Sequence, residues 1–179
     1  MITGDKHTFA IEAHLEQHGD YVFIQYCFWV KNYMIGDIEQ STLLSAVIPV
    51  LNRVLELQGQ RTFSDLIKAN WDASRYIEYL INKIWGVDFV VDSQNGAFLY
   101  DEKQLKKADI NSYEGESFQG FYVFLIECDG YDWLLCQENG VVNVYDVKIP
   151  SNKFYLMIKQ VLDWIRESTV LTLRKYEGQ

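Results

Sequence analysis

The chain has 179 residues and a mass of 21.0 kDa, the size of one ordinary domain. A hydrophobic fraction of 49% against 23% charged residues is enough to build a core without metals or disulfides and excludes wholesale disorder. A net charge of −9 repels a phosphate backbone, and no apolar run approaches the roughly 20 residues that a membrane-spanning helix needs.

Met1 to His7 has neither the cationic start nor the apolar stretch of a secretory leader, so a cytoplasmic protein is expected. Thr8 to Leu15 alternates, with Phe9, Ile11, Ala13 and Leu15 on one side, the pattern of a half-buried strand. His18-Gly19-Asp20 turns the chain into Tyr21–Val30, which is apolar on both faces as a central strand is. Lys31-Asn32 sets a tight hairpin into Tyr33-Met34-Ile35, ended by Gly36-Asp37, so a three-stranded antiparallel meander opens the chain. Val47, Val50, Leu51, Val54 and Leu55 repeat at helix spacing and stop at Gly59, and the helix is expected to start near Ile48 so that Pro49 falls in its first turn. A second follows the stripe Ala73, Ile77, Leu80, Ile81 and Ile84, capped by Asn70 or Asp72 and ended by Gly86.

Val87 to Val91 reads as a buried strand, and Asn95-Gly96 as a turn toward Ala97–Tyr100. Residues 101–116 are polar enough for a surface loop or short helix. Three more strands, Phe121–Glu127, Trp133–Gln137 and Val141–Val147, are joined by the hairpin dipeptides Asp129-Gly130 and Asn139-Gly140. Pro150-Ser151-Asn152 ends the sheet and caps a last helix, whose stripe Phe154, Met157, Ile158, Val161, Leu162 and Ile165 should lie on the sheet. Thr169–Leu173 fits either a frayed helix end or a short strand. Hairpin strands and helices in separate blocks predict an α+β fold. The expected form is an antiparallel β-sheet built from hairpins, packed on one face by about three α-helices, in a single domain over residues 1–179.

Familiar chemistry is largely excluded. Gly115-Glu116-Ser117-Phe118-Gln119-Gly120 has the glycine spacing of a phosphate loop, but Phe121-Tyr122 follows where lysine and a hydroxyl are required. His7, His14 and His18 do not converge as a zinc site needs. Cys27, Cys128 and Cys136 are an odd set in apolar runs, which suits reduced, buried thiols. Asp129, Asp132 and Glu138 sit in or beside hairpin turns, where carboxylates are ordinarily solvated. Residues 85–150 hold 12 acidic and 4 basic side chains, a net −8, which would attract a basic partner. Tyr113, Tyr131 and Tyr145 fall in turn regions, where tyrosine can serve an interface.

Met1-Ile2-Thr3-Gly4-Asp5, then Phe9-Ala10-Ile11-Glu12, then Trp29-Val30-Lys31-Asn32 running to Ile35-Gly36-Asp37, resemble the start of the immunity protein 42 family. Gly120-Phe121-Tyr122-Val123-Phe124 through Asp129-Gly130 follows the same pattern more loosely. The resemblance implies a small bacterial cytoplasmic immunity protein that binds and blocks a cognate polymorphic toxin domain by stoichiometric occlusion. It implies no enzyme activity, no cofactor and no metal. The partner implied is the toxin domain, a basic nuclease being one that an acidic face suits, with neither nucleic acid nor membrane as partner. No active residues carry over, and the pairs Gly4-Asp5, Gly19-Asp20 and Gly36-Asp37 are explained locally as turns. A small-molecule-binding domain, needing an apolar pocket, and a hydrolase, needing a perturbed buried carboxylate or thiol, are the alternatives. Toxin contacts are expected at the hairpin tips, with Asp129, Asp132 and Glu138 as charges around Tyr131.

Overall fold

The computed structural model describes residues 1–68, 70–86, 100–111 and 116–176. The strand expected at Val87–Val91, the Asn95-Gly96 turn with 97–99, and Tyr113 lie outside the described residues.

The first sheet contains β1 (Ile2–Asp5), β2 (Phe9–His18), β3 (Tyr21–Val30), β4 (Tyr33–Ile35) and β5 (Thr42–Leu43). Its order is β1-β2-β3-β4, with β5 pairing the start of β3 at Phe23 and Ile24. The β3–β4 turn places both Lys31 and Asn32 at positive φ, 51° and 68°, the geometry a two-residue hairpin of this twist demands. The opening meander is therefore present and is extended by strands at both sides. β1 was hidden because Gly4 looks like a turn residue. Instead Gly4 pairs with Ala10 inside the strand. At φ +96° its missing side chain leaves room for the Phe9 carbonyl and the Met157 methyl.

The second sheet is β6 (Phe121–Glu127), β7 (Tyr131–Glu138) and β8 (Val144–Pro150), all antiparallel. The α+β class with hairpin-built antiparallel strands is what the structure shows, the strands dividing between two sheets rather than sharing one. β8 begins three residues later than expected and includes Pro150, which an edge position tolerates.

Successive side chains of this second sheet face two different cores. Val123, Leu125, Leu134, Cys136, Val147 and Ile149 join the inner face of the first sheet, α1 (Leu44–Glu56) and α5 (Lys153–Tyr176). Phe124, Ile126, Trp133 and Leu135 meet α2 (Ser64–Lys68), α3 (Ala73–Trp85) and Leu105 of α4 (Glu102–Leu105). Burial on both faces explains why these strands read as continuous apolar runs.

The helices follow their stripes. α3 is capped as expected, the Asp72 side chain accepting from Arg75 N at 2.9 Å and Gly86 closing it at φ +65°. α5 buries Phe154, Met157, Ile158, Val161, Leu162 and Ile165 completely or nearly so, and Thr169–Leu173 continues it as helix. α1 starts at Leu44 rather than near Ile48, leaving Pro49 inside the helix. An interior proline costs about 3 kcal/mol. Burying Leu44 and Val47, each worth about 1.5–3 kcal/mol, offsets that cost. Among the described residues no helix is long and apolar enough to cross a membrane.

Candidate functional site

The four residues expected at the hairpin tips do not form one patch. Asp129 is exposed in the β6–β7 turn, and Tyr131 is half-buried beside it, with Lys148 Nζ 4.8 Å above its ring. Glu138 stands at the other end of β7. Seven residue steps at about 3.3 Å put it roughly 23 Å from Tyr131.

Asp132 is not a surface charge at all. It is 3% exposed and points into the larger core, directly across from Glu127, which is 8% exposed. Two carboxylates facing each other across a ladder repel, so their surroundings must answer both. Asp132 Oδ2 accepts from Asn152 N at 3.0 Å, at the start of α5. Glu127 accepts from Gly59 N at 2.7 Å, from Arg61 N at 2.9 Å and from the Tyr155 hydroxyl. Arg61, 1% exposed, supplies the neighbouring positive charge. Its Nε donates to Lys107 O at 2.7 Å, and its Nη1 to Val54 O at 3.1 Å and Tyr155 Oη at 3.0 Å. Burial raises the Asp132 pKa and the Glu127 charge adds to it, while the Asn152 N–H and Arg61 pull it down. Burial is also the main cause that pushes the Tyr155 hydroxyl up.

This network ties the end of α1, the 57–61 turn, β6, β7 and the start of α5 into one joint. Each carboxylate is occupied by internal donors and shielded from solvent, so neither is placed for acid–base work on a substrate. Sequence reading missed the joint because Arg61 lies in the polar run Gln58-Gly59-Gln60-Arg61-Thr62, which by itself reads as a solvated turn.

Other candidates resolve similarly. Ser117 is buried, its hydroxyl donating to Gln40 O at 3.0 Å, and Phe118 packs on Tyr26 and Phe28, so the glycine-flanked segment is a core contact. His14 and His18 pair with Glu12 and Glu16 on the outer face of β2, well apart from a common centre. Burial works to raise the Glu12 pKa, but hydrogen bonds from Lys6, Trp29 and His14 prevail and hold its carboxyl below the usual range. Burial pushes the Cys27 thiol up to about 12 and raises Cys136 as well. Cys128 is only partly buried, and its thiol is likewise raised by burial. None of these thiols is poised as a nucleophile at neutral pH. Among the described residues no group of three or more His, Cys, Asp or Glu side chains is placed to hold a metal ion.

An open feature lies on the α3 side of the second sheet. Tyr122, Gln137 and Val144 form a cross-strand row at the sheet's end. With Glu78, Glu138 and the 139–142 turn they line a cavity of about 430 Å³. Val142, on its lip, is 88% exposed.

No curated protein matches the chain. The backbone is similar to the crystal structure of CdiI from Burkholderia dolosa AUO158, with a TM-score of 0.67 over 91% of this chain and 99% of that one. At 17% identity the likeness establishes a shared fold. The family model described as immunity protein 42 matches residues 1–164. With the strand order, the two cores and that match along nearly its whole length, the chain belongs to the immunity protein 42 family.

Proposed function

We propose that this immunity protein acts as one domain in the bacterial cytoplasm and neutralises one cognate toxin domain by stoichiometric occlusion, without turnover. The family match over residues 1–164 carries the reading. The chemistry of the interior supports it, since the buried carboxylates are consumed by backbone and side-chain donors and the thiols are held protonated. The net charge of −9 suits a basic toxin such as a nuclease, whose substrate-binding surface an acidic protein can cover. Of the residues singled out from sequence, Asp129, Tyr131 and Glu138 stay available for toxin contact at the two ends of β7, while Asp132 supports the fold behind them.

Co-expression with the toxin domain encoded beside its gene is expected to give a stoichiometric complex by size exclusion with light scattering, and to restore growth. Two proteins that migrate separately at micromolar concentration overturn the reading.

A further inference from the structure

Resting on that reading, we infer that the groove between α3 and the β7–β8 end of the second sheet receives an arginine- or lysine-bearing segment of the toxin domain. The lining is matched to such a side chain. Its apolar walls are Tyr122, Val141, Val142 and Val144, which suit the aliphatic stem of a long basic residue. Glu78 of α3 supplies a carboxylate to the lining, and Glu138 stands at the end of β7 beside it. The Gln137 amide nitrogen already donates to Val141 O at 2.8 Å, while its Oε1 is buried without a hydrogen-bond partner. The groove therefore combines a carboxylate with an amide oxygen that lacks a donor, and an incoming guanidinium or ammonium answers both.

The surroundings extend the match. Val142 is the most exposed large hydrophobic side chain among the described residues, at 88%. A second cavity of about 370 Å³ adjoins the first through Tyr122 and Asn139 and has Trp85, half exposed, at its far side. Exposed apolar anchors beside an open groove with a carboxylate in its lining have the composition of an interface centre. Asp20, exposed in the β2–β3 turn of the first sheet and outside the groove lining, serves as the control position.

The test uses the full chain and the toxin domain encoded beside its gene. Glu78→Lys and Val142→Asp are changes in the groove lining whose melting temperatures should match the parent. Each is expected to weaken the complex by about tenfold or more, Glu78→Lys chiefly by slowing association and flattening its salt dependence. Asp20→Lys is expected to change affinity by less than about threefold. Hydrogen exchange on the unaltered complex should protect residues 137–144 more than 128–131. An intact complex that ignores both groove variants, or protection confined to 128–131, overturns the groove while leaving toxin binding in place. A free protein that dimerises until Val142→Asp separates it assigns the groove to a second copy and overturns the inference. No complex with the unaltered chain overturns the functional reading and the groove together.

Discussion

Arg61→Met is the most direct trial of the buried joint. Methionine roughly keeps the volume and the apolar contacts but removes every guanidinium donor. Lys107 O and Val54 O lose their Arg61 donors, at 2.7 and 3.1 Å, and Tyr155 Oη loses its bond at 3.0 Å. The positive charge beside the Glu127–Asp132 pair goes with them. A buried acceptor left unmet costs about 1–3 kcal/mol, and breaking a buried charge network by removing one member costs about 3–5 kcal/mol. These overlap rather than add, so a loss of about 4 kcal/mol is expected. For a chain of this size that corresponds to a fall in Tm on the order of 10 °C. Arg61→Lys should retain the charge yet still lose much of the stability, because one ammonium cannot reach both the Lys107 side and the Val54–Tyr155 side. Without Arg61, Asp132 also loses the cation that lowers its pKa, so the penalty should shrink as pH falls and the carboxyl protonates. Urea unfolding followed by tryptophan fluorescence at pH 5 and pH 7 measures all three. If Arg61→Met stays within about 1 kcal/mol of the parent, the guanidinium is a bystander and the joint is held by apolar packing alone.

Ile158→Ala should cost about 2–5 kcal/mol, since Ile158 is 1% exposed between α5 and the larger core and truncation leaves a cavity; a melting temperature within a degree of the parent would show that the helix is peripheral. Asp132→Asn keeps an oxygen for the Asn152 N–H but removes a carboxyl whose pKa burial raises above its ordinary 3.8. The native carboxyl holds its proton to higher pH than the unfolded one, so its stabilising contribution is complete below the unfolded pKa and declines as pH climbs through the folded value. The parent should therefore lose stability relative to Asp132→Asn from about pH 4 upward, and a stability difference that is flat with pH in chemical denaturation contradicts this.

Local chemistry in the sequence determined the hairpins and the helix stripes. Lys31-Asn32 and Asp129-Gly130 close their turns where residue type predicts, because positive φ and the two-residue loop are properties of the turn itself. The α5 stripe and the Asp72 and Gly86 ends of α3 were legible for the same reason, since periodicity and capping act within a few residues. Which strands share a sheet was not legible, because alternation says which side of a strand is apolar and nothing about its neighbour. Proline chemistry placed the start of α1 too late, where tertiary burial of Leu44 and Val47 outweighed a local rule. The site suffered most. Asp132 has the composition of a solvated turn residue, yet it lies under the start of α5 opposite Glu127, and Arg61 is held by partners 46 and 94 positions away. Burial of a charge depends on donors that the fold brings from distant segments, so only the tertiary structure could move Asp132 inside and leave Glu138, one β7 length away, beside an open groove.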